Sequence, residues 1–185
     1  RGKGDGNELG GPVTNGVGGV PQGLAIADMN NDGWLDLVAS STGADRITVQ
    51  LAAPPDYGTP TSFTTANGFG LETLRLVDVS GDGHLDVLTT CTTDTKVSVR
   101  LGDGTGGFAP KVDYVPATTP VGLVVADASG DGIADILTTN SPNTMSLFVG
   151  NGLGSFAPRI DFAAGQGPRG PAVGDLDDDG EPDVA

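Results

Sequence analysis

The stretch Asp28-Met29-Asn30-Asn31-Asp32-Gly33-Trp34-Leu35-Asp36 decides the fold, because its grammar returns three more times. It recurs as Asp78-Val79-Ser80-Gly81-Asp82-Gly83-His84-Leu85-Asp86, as Asp127-Ala128-Ser129-Gly130-Asp131-Gly132-Ile133-Ala134-Asp135, and as Asp175-Leu176-Asp177-Asp178-Asp179-Gly180-Glu181-Pro182-Asp183. The starts are 50, 49 and 48 residues apart. A fixed period of that length marks a repeat architecture, in which each unit buries its face against copies of itself.

The loop has the chemistry of a hard-cation site. Side-chain oxygens at positions one, three and five come from Asp28, Asn30 and Asp32, from Asp78, Ser80 and Asp82, from Asp127, Ser129 and Asp131, and from Asp175, Asp177 and Asp179. Glycine at position six allows the sharp turn. The main-chain carbonyl of position seven (Trp34, His84, Ile133 or Glu181) and the carboxylate of position nine (Asp36, Asp86, Asp135 or Asp183) complete an oxygen cage of the kind that suits Ca²⁺. Magnesium, which holds on to its waters, fits less well. An EF-hand is excluded, since that motif needs a Glu at position 12 and flanking helices, whereas Ala39, Thr89 and Thr138 stand there between strand-like runs.

Asp, Asn, Ser and Gly also make good turns without any metal. Four such loops in register, each placing at least three carboxylates within nine residues, would repel themselves if left empty, so one Ca²⁺ per loop, four in total, is the expectation.

The composition agrees with that reading. The chain has 185 residues and a formal charge of −15, and its loops carry three position-matched Asp in each of the first three copies and four in the last, thirteen of the 24 acids. Four divalent ions would reduce the charge to about −7, so the acidity reads first as metal sites. Nine Lys and Arg with no patch argue against nucleic acid. No run is apolar and long enough to cross a bilayer, and the chain opens on Arg1 without a signal-like segment, as a mature secreted chain or a fragment would. Cys91 is the sole cysteine, so no intrachain disulfide forms, and its strand-like surroundings make it a small buried residue rather than a nucleophile.

Between the loops lie short β-type runs bounded by Gly, Pro, Asp or Asn. The first unit has Leu24–Ala27, Leu35–Val38, Ile47–Leu51 and Thr61–Thr64, with a hairpin turn at Ser41–Asp45. The second has Leu74–Val77, Leu85–Thr89, Val97–Leu101 and Gly107–Pro110; the third has Gly122–Ala126, Ala134–Thr138, Met145–Val149 and Ser155–Pro158. No segment carries a helical period. The 31 glycines and 13 prolines fall at turns, which fits a loop-rich all-β chain.

The predicted fold is therefore a β-propeller-type array of four-stranded antiparallel blades with a repeat of about 49 residues. Residues 1–20 are read as a partial blade aligning with Leu101–Thr118, 21–70 as repeat 1, 71–119 as repeat 2, 120–168 as repeat 3, and 169–185 as the start of repeat 4. Both ends fall within a repeat, Ala185 matching Leu137 and Arg1 about Leu101. The array is expected either to be a section of a larger ring or to complete a shared blade, within one ring or between chains.

The Asp-x-[Asn/Ser/Asp]-x-Asp-Gly-x-x-Asp loop, the strands after it, and the Gly-rich turns leading to Gly107-Phe108-Ala109-Pro110 and Ser155-Phe156-Ala157-Pro158 resemble the FG-GAP and VCBS repeats. The resemblance covers nearly the whole chain. It implies a Ca²⁺-binding propeller blade of the type found in integrin α-subunit heads and in many secreted bacterial proteins. The first unit departs from it at Ala52–Pro60, where a Pro-rich loop replaces Gly-x-Gly.

Other chemistries are disfavoured. The runs Gly102–Gly107 and Gly150–Gly154 lead into Ala-Pro rather than a helix, so they are hairpin turns and not dinucleotide fingerprints. Gly2-Lys3-Gly4 lacks the elements of a phosphate loop. His84 is the only histidine and has no relay around it, and the clustered carboxylates belong to the metal loops, so no enzymatic activity is expected. Trp34, Tyr57 and Tyr114 do not recur at equivalent positions, which weakens a repeated sugar pocket. The leading expectation is a secreted or cell-surface, calcium-stabilised protein acting in adhesion, surface recognition or scaffolding, with a protein or glycan ligand. One alternative is a polymer of copies of itself, completed by head-to-tail strand addition. The other is an accessory carbohydrate-binding domain of a polysaccharide-active enzyme.

Overall fold

Sixteen strands make up a computed structural model that describes residues 20–42, 46–54, 56–64 and 70–185. They are β1 (Val20–Ala27), β2 (Asp36–Thr42), β3 (Arg46–Gln50), β4 (Ala52–Ala53), β5 (Asp56–Tyr57), β6 (Thr61–Thr64), β7 (Leu71–Val77), β8 (Asp86–Cys91), β9 (Lys96–Arg100) and β10 (Val112–Tyr114), followed by β11 (Pro120–Ala126), β12 (Asp135–Asn140), β13 (Thr144–Phe148), β14 (Ile160–Ala163), β15 (Val173–Gly174) and β16 (Asp183–Val184). No helix occurs among the described residues. The partial blade expected at the N-terminus, the Gly2-Lys3-Gly4 run and the tip of the Ser41–Asp45 turn lie outside them.

Three antiparallel meanders, β1-β2-β3-β6, β7-β8-β9-β10 and β11-β12-β13-β14, form four-stranded sheets, and β15-β16 begins a fourth in the same way. These are the blades read from the sequence, arranged as an open array. The nine-residue loops fall between the first and second strand of each sheet, closed by the pairs Ala27↔Asp36, Val77↔Asp86, Ala126↔Asp135 and Gly174↔Asp183. The first strands β1, β7 and β11 lie side by side, so the first three loops emerge at the same end of the array, and Glu181 of the fourth loop lies beside Gly130 of the third.

Alternating apolar residues on the middle strands bury one face of each sheet against the next. Met29, Val38, Ile47 and Val49 of the first sheet meet Leu74 and Val87 of the second. Val79, Leu88, Val97 and Val99 of the second meet Leu123, Ile136 and Phe148 of the third. The core thus lies between blades and not within them, as expected where a single sheet has nothing else to cover its faces. Cys91 is buried beside Leu71, in keeping with a packing role.

The structure corrects the fourth strands of repeats two and three. The sequence reading placed them at Gly107–Pro110 and Ser155–Pro158, but the pairing strands are β10 and β14, a few residues further on. Phe108 and Phe156 make only isolated bridges to Gly102 and Gly150. Those glycines are required by close approach, since a Cβ would sit 2.3 Å from the Leu85 carbonyl oxygen and 2.2 Å from that of Ala134. Each phenylalanine serves as a wedge between blades. Phe108 meets Phe63 of the preceding sheet edge-on with centroids 5.0 Å apart, and Phe156 meets Tyr114 at 5.3 Å. Pro110 and Pro158, two residues after each Phe, have no N–H to donate into a ladder, which accounts for the displacement. In the first unit the Pro-rich departure folds as the small hairpin β4-β5, after which β6 pairs normally with β3.

The outer strands β10 and β14 are fastened by a recurring motif. In Lys111-Val112-Asp113-Tyr114 and Arg159-Ile160-Asp161-Phe162, the Asp accepts from a serine on the facing strand, Ser98 Oγ at 2.7 Å and Ser146 Oγ at 2.8 Å. Lys111 Nζ lies 2.6 Å from Asp113 and Arg159 Nε 2.9 Å from Asp161. Burial works to raise the Asp113 carboxyl, but the bonds from Lys111 and Ser98 and the charge of Lys96 outweigh it and hold it below its ordinary value. A depressed carboxyl stabilises the fold above its unfolded-state pKa and loses that contribution as pH falls through its folded value. Asp113→Asn is therefore expected to cost about 1–2 kcal/mol at neutral pH, a gap that closes in acid, as read from urea unfolding across pH.

Candidate metal-binding loops

Each loop is built around two carboxylates that hold its backbone. The position-one Asp accepts from the amides at positions five and six, or four and six. Asp28 takes Asp32 N at 3.1 Å and Gly33 N at 2.8 Å, and Asp78 takes Gly81 N at 2.7 Å and Gly83 N at 2.8 Å. Asp127 takes Gly130 N at 2.7 Å and Gly132 N at 2.8 Å, and Asp175 takes Asp179 N at 3.2 Å and Gly180 N at 2.9 Å. The position-five carboxylates of Asp32, Asp82, Asp131 and Asp179 accept from the amides of Trp34, His84, Ile133 and Glu181, each at 2.8 Å. Position six has φ between +83° and +89° in all four loops, the left-handed region that only glycine enters without strain.

Position nine does more than the sequence suggests. Asp36, Asp86 and Asp135 are fully buried at the start of the second strand. One oxygen of each binds loop amides: Met29 N at 2.7 Å, Val79 N and Ser80 N at 2.9 and 3.2 Å, and Ala128 N and Ser129 N at 3.0 and 2.9 Å. The other oxygen reaches across the sheet to the residue just beyond the third strand, Ala52 N at 2.7 Å, Gly102 N at 2.8 Å and Gly150 N at 2.8 Å. These side chains staple the loop to the far side of its own sheet. An Asp opening an otherwise apolar run was the available signal. In the fourth loop, Asp183 accepts from Leu176 N at 2.9 Å.

The third-position side chains join the same cluster. Asn30 lies 2.9 Å from Asp32 and Ser80 Oγ 3.3 Å from Asp78, while Asp175, Asp177 and Asp183 bring three ligand-capable oxygens within 4.8 Å of one another. At position seven the side chains diverge in chemistry, from Trp34 to Glu181, as a site using only the carbonyl allows. Trp34 is partly solvent-exposed, and His84 faces Asn31 of the preceding loop at 3.4 Å.

Electrostatics separates the carboxylates of the second loop. Burial raises the Asp86 carboxyl despite the amides of Gly102 and Val79, and the charges of Asp78 and Asp82 push it the same way. Asp78 goes down: desolvation works to raise it, but the bonds from the amides of Gly83 and Gly81, the Ser80 hydroxyl and the amide of Asp82 together outweigh it. Every donor is an oxygen, and each amide-bonded carboxylate oxygen retains a further lone pair. This donor set suits a hard divalent cation, and the mutual repulsion at Asp86 is of the kind such a cation relieves.

Comparison with known proteins supports the architecture. The sequence model of the FG-GAP-like repeat matches residues 78–138 and 130–185. No curated protein matches the chain. Among solved structures, the Tc holotoxin pore of Photorhabdus luminescens shares 16% identity over 93% of this chain and 8% of its own, with a TM-score of 0.50. The V. cholerae biofilm matrix protein Bap1 shares 17% identity over 90% of this chain and 28% of its own, with a TM-score of 0.51. At those identities the likeness is one of fold, and the chain spans a small fraction of either protein.

Proposed function

The chain belongs to the FG-GAP-like repeat family, and from that membership we propose that it is a calcium-stabilised extracellular recognition module acting in adhesion, surface recognition or scaffolding. The observation that carries this reading is the fourfold recurrence of one oxygen-only loop, with the same amide bonds and the same left-handed glycine each time. Asp28, Asn30, Asp32 and Asp36, with the Trp34 carbonyl, would hold one ion, and the equivalent residues of the later loops the others. Bound calcium would neutralise carboxylates that the fold brings together, leaving the blade rigid. Millimolar calcium is a feature of extracellular fluids, which is where sites lacking a position-12 Glu would fill.

A shallow, open pocket lies between the second and third blades, with a volume of about 580 Å³, and is lined by Tyr114, Phe148, Phe156, Arg159 and Asp161 among others. Its rings and charges already pair with one another, so the pocket argues for broad surface contact more than for turnover of a small substrate. A ligand that is a protein or glycan surface fits this reading. Retention of the chain on a panel of immobilised matrix proteins and cell-surface polysaccharides should depend on millimolar Ca²⁺ and be lost on chelation. Binding to no member of the panel with calcium present, or equal binding without it, would contradict the proposal.

A further inference from the structure

A hydrogen-bonded chain runs from the third metal loop to the second. It starts at Asp135, position nine of the third loop, whose Oδ2 holds Ala128 N and Ser129 N inside that loop at 3.0 and 2.9 Å. Its Oδ1 accepts at 2.8 Å from the amide of Gly150, the first residue of the turn Gly150-Asn151-Gly152-Leu153-Gly154. The last residue of that turn reaches the neighbouring blade: Gly154 N donates at 3.1 Å to the carbonyl of Val79, position two of the second loop. Val79 N in turn donates at 2.9 Å to Oδ2 of Asp86, position nine of the second loop. Equivalent carboxylates of two loops are thus joined through three hydrogen bonds and one five-residue turn.

The turn is fitted closely into this path. A Cβ on Gly81, position four of the second loop, would stand 3.3 Å from Gly152 O, and one on Gly154 would stand 2.6 Å from the Leu101 side chain. On the other side Ile133, position seven of the third loop, lies against Gly150 and Gly152. Asn151 holds the turn from within, its Oδ1 accepting from Leu153 N at 2.9 Å and Ser155 N at 3.1 Å. Three glycines in five residues give this turn much backbone entropy to lose, so its order depends on those bonds.

We propose that the second and third loops take up Ca²⁺ cooperatively, occupation of either one strengthening binding at the other, with the Gly150–Gly154 turn as the coupling element. This rests on the calcium reading of the loops and adds to it a link between two of them. The physical basis is a shared cost of ordering. Once the third loop is filled, Asp135 is fixed and Gly150 with it, so the second loop closes against a turn that is already ordered. Repulsion between two bound ions works the other way, but it is screened over about 8 Å at physiological salt. Each of these loops, with its three Asp, also stays negative when filled. Coupling of affinities is reciprocal, so the second loop must act on the third by the same factor.

The test is a Ca²⁺ titration of the nitrogen-15-labelled chain at physiological salt, followed by NMR at the amides of the position-six glycines. Gly83 N and Gly132 N donate to Asp78 and Asp127, so each reports on its own loop. Asp131→Ala disables the third loop at an exposed carboxylate, and should raise the calcium midpoint at Gly83 about fivefold or more. Asp82→Ala should do the same at Gly132. Asn151→Ala changes neither loop; both should still fill, but the effect of Asp131→Ala on Gly83 should shrink to about twofold or less in that background. Asn151→Asp should preserve the coupling, because Asp103 holds the equivalent turn of the second repeat through the amides of Thr105 and Gly107. Circular dichroism confirms the fold of each variant. A Gly83 midpoint indifferent to Asp131→Ala would overturn the proposal while leaving the sites in place, as would a dependence undiminished by Asn151→Ala. No calcium-dependent shift at any position-six glycine would remove the calcium reading and the proposal with it.

Discussion

Removal of calcium by chelation is expected to lower the melting temperature by roughly 5–10 °C for each loop previously held at a hundredfold its dissociation constant. A ligand that binds only the folded chain adds about 2.7 kcal/mol at that saturation, and 1 kcal/mol moves the midpoint of a domain this size by about 2–4 °C. The folded chain is the form that gathers Asp78, Asp82 and Asp86, whose mutual repulsion is one cause of the raised Asp86 carboxyl. The unfolded chain spreads those charges apart and holds calcium poorly. Magnesium at equal concentration should restore only part of the loss, since the site offers too few waters to an ion that keeps them. The melting curve followed by circular dichroism, with and without a chelator, measures this, and an unchanged midpoint would remove calcium from the account.

The second large effect belongs to a residue whose structural role exceeds its part in the loop. Asp86→Ala is expected to destabilise the chain by roughly 3–5 kcal/mol even without calcium, because hydrogen bonds to a carboxylate are strong and the groups left behind are buried. The amides of Val79, Ser80 and Gly102 would lose their acceptor at once. Asp135→Ala should behave alike, through Ala128, Ser129 and Gly150. Asp32→Ala provides the contrast, since its carboxylate is exposed and accepts from Trp34 N and Asn30. That variant should weaken calcium binding at one loop while costing little stability in the apo chain. Urea unfolding of the three variants in chelator separates the two roles; equal costs would show that position nine is no staple.

Most of the architecture was legible because the Asp-Gly loop is a fixed punctuation mark. Its spacing set the repeat, and the alternating runs on either side gave the first three strands of each four-stranded blade. The outer strand is placed correctly in the first repeat, at Thr61–Thr64, and is displaced in the second and third for a physical reason. Val112–Tyr114 is short, and Phe108-Ala109-Pro110 before it has a more strand-like look, yet Phe108 is drawn towards Phe63 of the neighbouring blade. Local pattern does not reveal a contact with another repeat. The recurrence of Lys111-Val112-Asp113-Tyr114 as Arg159-Ile160-Asp161-Phe162 was available and would have placed the strand, since their Asp residues stand 48 residues apart like the loops. Within the loops, residue types at positions one, three and five were readable as oxygen donors. The double service of Asp36, Asp86 and Asp135 was not, because their cross-sheet amides at Ala52, Gly102 and Gly150 lie 15 or 16 residues away and become neighbours only once the third strand has paired. Trp34, Tyr57 and Tyr114 illustrate the same limit: the first two are partly exposed, whereas Tyr114 turns inward to pack against Phe148 and to receive Phe156 N at 3.2 Å.

The measurement that bears most directly on the central claim is a calorimetric titration of Ca²⁺ into the metal-free chain. The account predicts about four equivalents, with micromolar to millimolar affinities, and one fewer in Asp131→Ala. A titration with no saturable heat, or an unchanged count in Asp131→Ala, would contradict it.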